Sequence, residues 1–512
     1  MARAPLYPFL VAGYLVMTLV AERAGGWSAL DLGGSLVLAL FWALIAWWMT
    51  GLVPMDPRHR PLVSLLAVLW AGLYGSFVAI GAQLLGTWLA HDGMALAVWT
   101  LGFAGLGLGL RGLRSWDPSR VTTAANVGAL ILVSMPAATL VLRSLRAPST
   151  PRPAAVEDRR TPDRPDVVLI VLDKYSHPRW LREVYGVDVT PFLDSLRGLG
   201  FVVPDSARTN YVHTSLTLAA LLNWAYVHEG PAPRGDPWEA MALLIEDSEA
   251  RRLLAAHGYR VAFFPTSFPT TRSNRHADIV LAYPGRPLGE LGSTWLANAP
   301  WPALTRVTCR LVSCRADEVF PYPVESAEAI EWKLAQVAGL ADSTGPIFAF
   351  LHLLAPHEPY VFDANCRHRR PVWPRSDVGT QAELVRELYA AQVACVNRLV
   401  IQTVTSLIAR SAVPPTIILQ ADHGHGRIAI DPMRGITVPL EALSREQVEE
   451  RLDVFAAYRF PEARRVVWNR VSPVNVLPMV LNSVLGVDLP VRRDRAFWSD
   501  FNHPLAVTEI PR

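Results

Sequence analysis

Three short apolar runs in the second half of this 512-residue chain each end in residues able to bind a cation or move a proton. VVLIVL (Val167–Leu172) runs into Asp173, and TIILQA (Thr416–Ala421) runs into Asp422, His423 and Gly424. IFAFLHL (Ile347–Leu353) leads to His357 and Glu358. A single Asp after a strand is a common turn former or helix N-cap, and Asp-His-Gly can be an ordinary turn. Three such ends acting together are a different matter. Carboxylate oxygens and imidazole nitrogens drawn from separate strands suit one divalent cation, whether zinc, manganese, magnesium or calcium.

A cation site of this kind needs a nucleophile, and TNYVHTSLTLAALLNW offers one. The segment passes from a polar loop into an apolar helical run, with Thr214 and Ser215 at the changeover. A hydroxyl there lies near the positive end of a helix dipole, among backbone N–H groups that can hold an anion. A neighbouring dication would lower its pKa further. A plain N-cap Thr or Ser is the alternative meaning of the same residues. Arg208 and Asn210 are either donors to phosphate oxygens or solvated loop residues, and His425 is either a substrate contact or a loop residue. His352, inside an apolar run, reads as a satisfied core histidine, and His213 has no assigned role.

The elements that must position these residues follow from the hydrophobic pattern. Short, wholly apolar runs alternate with longer amphipathic ones, which predicts an α/β domain whose mostly parallel sheet is buried on both faces. Ligands of such sheets bind beyond the carboxyl ends of the strands. Arg260–Phe264 is a fourth expected strand, and helices are expected over 189–199, 215–222, 327–340 and 381–408.

The first part of the chain is different. The whole sequence is 51% hydrophobic and 18% charged, a mixture that a membrane part joined to a soluble part explains. Apolar stretches at 6–20, 30–53, 62–89, 94–110 and 121–142 predict about five spans of an α-helical bundle. Arg3, Arg58, Arg60, Arg111, Arg114 and Arg120 fall on one side of these spans, which places the N-terminus in the cytoplasm and the chain beyond span five outside. The expected organisation is a transmembrane domain over 1–146, a Pro- and Arg-rich tether over 147–165 and an extracytoplasmic catalytic domain over 166–512. A net charge of +3 gives no case for nucleic-acid binding. The four cysteines form no CxxC pair; Cys309 with Cys314 and Cys366 with Cys395 are either disulfides or free thiols.

VVLIVLDKYS followed by DVTPFLDSLRGLGF resembles the opening of the sulfatase and alkaline-phosphatase superfamily. YVHTSLTLAALLNW is similar to the sulfatase nucleophile segment, FAFLHLLAPHEPY to the segment with a substrate-binding His, and LQADHGHG to the second metal-ligand segment. Five spans followed by such a domain also resemble lipoteichoic acid synthases and phosphoethanolamine transferases. The resemblance implies that Asp173, Thr214, Asp422 and His423 hold one divalent metal, that Thr214 is the nucleophile and that His357 meets the transferred group. Arg208 and His425 join His357 as candidate substrate contacts. The sulfatase C-x-P-S-R context is missing, and Lys174 stands where sulfatases carry a second Asp. Both departures point toward a threonine-using phosphotransferase that moves a phospho-headgroup from a membrane lipid to an alcohol acceptor, a glycan or another lipid. A hydrolase of phosphate or sulfate esters and a non-catalytic membrane protein of the same fold are the other readings.

Overall fold

The computed structural model describes residues 4–21, 29–85, 92–110, 118–146, 164–231, 233, 235–284, 292, 295–296, 299–312, 325–372, 382–427, 439–460 and 470–511. Residues 147–163 of the expected tether and Cys314 therefore lie outside the described residues. The chain forms two compact units, one of Met1–Pro153 with Arg286–Val324, the other of Ala154–Gly285 with Glu325–Arg512.

The first unit is built from α1 (Tyr7–Ala21), α2 (Ala29–Leu52), α3 (Arg60–Gly72), α4 (Tyr74–Leu85), α5 (Asp92–Leu110) and α6 (Pro118–Arg146). Small residues such as Ala43 and Ala71 are buried between helices, while Phe41, Trp48, Leu101 and Ile131 are exposed. An apolar exterior around a close-packed interior is what a hydrocarbon surround favours. Within this unit, Leu32–Leu52 and Arg120–Leu142 are long and apolar enough to cross a membrane. The stretch expected as one span at 62–89 is broken at Leu73 into α3 and α4. The segment 286–324, expected within the 166–512 domain, groups instead with the helical bundle. Its helix Trp301–Val312 seats Ala303 against Tyr74 and Ala95, and Trp301 meets Trp42 and Trp70 edge to face.

In the second unit a seven-stranded sheet runs in the order Phe201–Val202, Ala456–Arg459, Thr416–Ala421, Val167–Leu172, Ile347–Leu353, Arg260–Phe264, Ile279–Val280. The pairings are parallel except those made by Ala456–Arg459. Every residue of the three strands that lead to the candidate site is buried, which is why their sequences are apolar without alternation. Ala382–Arg410 is also long and apolar enough to span a membrane, yet here Leu388, Tyr389, Val393 and Val400 pack into the sheet's core. Cys395 on this helix is disulfide-bonded to Cys366.

Candidate active site

Strand register assembles the site. Leu172 pairs with Ala421, so the next residues, Asp173 and Asp422, leave neighbouring parallel strands side by side, about 4.8 Å apart by ordinary strand spacing. On the other flank Val171 pairs with His352, and Val171 shares a sheet face with Asp173. His352 is thereby delivered to the same face as the first carboxylate.

The result is a buried cluster. One ligand atom each from Asp173, His352 and Asp422 lies within 4.8 Å of the others. His352 Nε2 is 3.3 Å from Asp173 Oδ2, and His423 Nε2 is 3.4 Å from Asp422 Oδ2 and 4.0 Å from Asp173 Oδ1. Thr214 Oγ1 is 3.1 Å from His423 Nε2. Asp422 Oδ1 accepts the backbone N–H groups of Lys174 and His423 at 2.9 and 2.7 Å. Asp422 Oδ2 and Asp173 Oδ1 are buried with no hydrogen-bond partner among the described residues. Leaving a buried carboxylate oxygen unpaired is costly, and two of them facing one pocket are the donor set a divalent cation satisfies. The residues therefore fit the metal that the sequence implies.

Electrostatics agree with the geometry. Burial, then the charge of Asp173, pushes the Asp422 carboxyl up to about 6. Burial also opposes ionisation of Asp173, but the imidazoles of His357 and His352 and the Lys174 ammonium outweigh it and hold that carboxyl below its ordinary value. His423 is pushed well below the usual imidazole range, first by burial and then by the Arg451 guanidinium. Its Nδ1 lies 3.1 Å from the Gly424 carbonyl. A carbonyl can only accept, so Nδ1 carries the proton, and the Nε2 lone pair faces Thr214 Oγ1 at 3.1 Å and accepts from Arg451 Nη2 at 3.2 Å.

Thr214 opens the helix Thr214–Asn223, with extended His213 as the residue before it. Ser215, the other candidate at this changeover, bonds instead to Thr270 Oγ1 at 3.2 Å. His213 is buried against Trp238 and Phe501 and bonded to the Ser499 carbonyl, and burial pushes it down to about 4. That neutral ring is a wall of the loop.

His357 is tied to the cluster through its backbone N–H, which donates to the Asp173 carbonyl at 3.1 Å. Its Nδ1 is 2.5 Å from the Glu358 carbonyl, which leaves Nε2 as the proton-accepting nitrogen. The side chain is 33% exposed, against 4% for His423, so it is the cluster's accessible imidazole. Lys174 Nζ donates to both Glu358 carboxylate oxygens at 2.9 and 3.0 Å.

The other two candidate substrate contacts are His425 and Arg208. His425 is fully buried between the rings of Tyr185 and Tyr389, and its Nδ1 accepts the Arg427 N–H. Arg208 bridges to Asp453 through its backbone, and its charge acts on the Asp453 carboxyl. His352, read as a core histidine, stands in the cluster instead, with Nδ1 held by Thr271 Oγ1 at 2.9 Å. Arg451 was not singled out at all. This buried guanidinium donates to the carbonyls of Val212, Gly424 and His425 and so ties the Thr214 loop to the His423 loop.

Gly424 is where that clamp demands a missing side chain. A Cβ there would meet the Glu450 carbonyl oxygen at 1.9 Å, while the Gly424 N–H donates to the Arg451 carbonyl at 2.8 Å. Gly424→Ala is expected to destabilise the domain by about 3 kcal/mol, since backbone must move to relieve the overlap. A thermal melt of the purified variant checks this; an unchanged Tm contradicts it.

A protein-family model described as Sulfatase matches residues 165–486. No curated protein matches the chain. Among solved structures, the chain is similar to the integral membrane lipooligosaccharide phosphoethanolamine transferase A of Neisseria meningitidis, at 16% identity over 94% of both chains with a TM-score of 0.39. It is also similar to the zinc complex of the C-terminal periplasmic domain of EcEptC from Escherichia coli, at 12% identity over 68% of this chain and 92% of that one, TM-score 0.44. The lipoteichoic acid synthase LtaP of Listeria monocytogenes aligns at 13% identity over 63% of this chain and 72% of that one, TM-score 0.39.

Proposed function

The chain belongs to the sulfatase family, and on that premise we propose that it is a membrane-anchored, metal-dependent phosphotransferase whose nucleophile is Thr214. The observation that carries this reading is the placement of a helix-opening hydroxyl 3.1 Å from His423 Nε2, in a cluster whose two carboxylates each aim an unpartnered oxygen at a common point.

Asp173, Asp422, His423 and Thr214, with His352 beside them, would hold one divalent cation, which when bound supplies positive charge for the Thr214 alkoxide and the phosphoryl oxygens. Thr214 Oγ1 forms a bond to phosphorus of a lipid phosphodiester as the bond to the lipid alcohol breaks. The electron pair leaves on that alcohol's oxygen, and protonated His357 Nε2 gives it a proton. Neutral His357 then takes the proton of an incoming acceptor hydroxyl, whose oxygen displaces Thr214 and restores the free side chain. The backbone N–H groups at the start of Thr214–Asn223 steady the anionic group between the two displacements.

The spans and the soluble domain belong to one chain, so tethering raises the effective concentration of lipid headgroups at the site. The Arg bias of the short loops supports a cytoplasmic N-terminus, and the Cys366–Cys395 disulfide supports a catalytic domain on the oxidising side of the cell membrane. Incubating the purified chain with a membrane lipid extract, followed by peptide mass spectrometry, tests the covalent step. A phospho-headgroup adduct on the Thr214 peptide is expected, and product release without any such adduct contradicts it. Adding an alcohol acceptor to the same reaction separates transfer from hydrolysis.

A further inference from the structure

The helical bundle contains a cavity of about 1160 Å³ between α2, α3 and α5 that the catalytic reading does not use. Its size exceeds the range of roughly 300–1,000 Å³ usual for drug-sized ligands. Small residues from the separate helices, Ala46, Ala67, Ala104 and Gly107, leave the space open. The inner end is closed by Trp42 and Trp70, and the indole of Trp301 stands edge-on to both. The other end is polar and lies at the α2–α3 turn, where Asp56, Arg58 and His59 line it.

The dimensions name the occupant. From His59 to Trp70 the groove follows α3 for about 17 Å at ~1.5 Å per residue. Half of a bilayer's hydrocarbon core is about 15 Å. A groove that is apolar for one leaflet's depth and charged at its outer end matches an acyl chain with its headgroup. The charge there is complementary to a phosphate. Arg58 pairs with Asp56 through Nε at 3.1 Å, with side chains 59% and 37% exposed. An exposed pair of this kind is weak and leaves further guanidinium N–H groups for a second anion. Arg60 follows directly and donates to the Trp47 carbonyl, so its charge is fixed at the same end. Near this end, among the described residues, Arg58 and Arg60 outnumber the single carboxylate, Asp56, which pairs with Arg58 alone.

We propose that this groove binds one anionic phospholipid of the bilayer, its acyl chain between α2, α3 and α5 and its phosphate at Arg58. The polar end is on the side where α1 and α6 begin: Phe9 near the start of α1 meets Trp47 near the end of α2, and Asn126 of α6 binds the backbone of Ala4, Leu6 and Tyr7. The chain leaves the bundle for the catalytic domain from the opposite end of α6. The bound lipid is therefore a resident of the N-terminal-side leaflet and does not depend on the transferase reading. Its chain end rests at Trp42 and Trp70, which Trp301 braces, so occupancy stabilises the seat of the Trp301–Val312 helix.

The test uses the full chain in detergent, with phosphatidylglycerol and the zwitterionic phosphatidylcholine as probes, read by native mass spectrometry and thermal melting. The wild type is expected to retain one phosphatidylglycerol and to melt higher in its presence, with a weaker response to phosphatidylcholine. Gly107→Leu fills the groove from a position where a Cβ meets nothing within 4 Å, and it is expected to lose the adduct while its helical circular dichroism is kept. Arg58→Gln is expected to weaken phosphatidylglycerol retention about tenfold, to the phosphatidylcholine level, because the charge-assisted contact is lost. Equal retention by Gly107→Leu and wild type overturns the proposal, as does a preference for phosphatidylcholine. A mass showing a second protein copy in place of lipid overturns it too. Should Gly107→Leu fail to fold, the Arg58→Gln comparison decides alone.

Discussion

Thr214→Ala abolishes turnover, by at least about 10³-fold, and leaves the domain folded. The size of the effect follows from removing the group that forms the covalent bond, since metal and anion donors alone recover only a small part of such a rate. The survival of the fold follows from what the side chain does in the structure. Its hydroxyl meets His423 Nε2, and its backbone starts a helix in which alanine is the better former. The loss in stability is therefore about 1 kcal/mol or less. Hydrolysis of a chromogenic aryl phosphodiester, measured beside a thermal melt, checks both halves. Thr214→Ser, which keeps a hydroxyl at the same atom, is expected to retain part of the activity. An alanine variant with near wild-type rate removes Thr214 from the chemistry.

Asp173→Asn has the second large effect, and its first readout is metal content. The change keeps the shape of a buried side chain and removes one of two negative charges facing the same point. A neutral amide is a poor ligand for a hard cation, and its nitrogen carries hydrogens into a space lined by His352 and Asp422. Metal measured by elemental mass spectrometry after dialysis is expected to fall from about one per chain to near zero, with activity falling in parallel. Metal that binds only the folded state stabilises it by about 4 kcal/mol at a thousand times its Kd. Added metal should therefore raise the Tm of the wild type and leave that of Asp173→Asn unmoved. Full metal content in the variant contradicts the assigned role of this carboxylate.

Much of the site is legible in the sequence because parallel strands buried on both faces must be apolar from end to end. The first charged residue after such a run marks the carboxyl edge of the sheet, which is how Asp173, Asp422 and His423 declare themselves. Register is not legible. Only the pairing of Val171 with His352 shows that a histidine inside an apolar run sits on the same face as Asp173. Residue type alone made it a core residue. The surroundings of His425 are equally hidden: it follows the ligand motif closely, and only the fold brings Tyr185 and Tyr389 against its ring. Arg451 has no sequence signal, since its partners, backbone carbonyls and His423 Nε2, are brought near only by the fold. In the bundle, hydropathy is summed along the chain and carries no information on helix continuity, so the break at Leu73 is invisible. The attachment of Trp301–Val312 to the bundle is hidden similarly, because it depends on contacts with Tyr74 and Ala95 far away in sequence.

The central assertion is that residues from three distant segments, Asp173, Thr214 and the Asp422–His423 pair, surround a single cation. A crystal of the metal-loaded protein, with data collected at the absorption edge of the metal found by elemental analysis, tests it most directly. The account predicts one anomalous peak within ligand distance of Asp173, Asp422, His423 and Thr214. A peak at another place, or ordered density for these four side chains turned away from the bound metal, contradicts it.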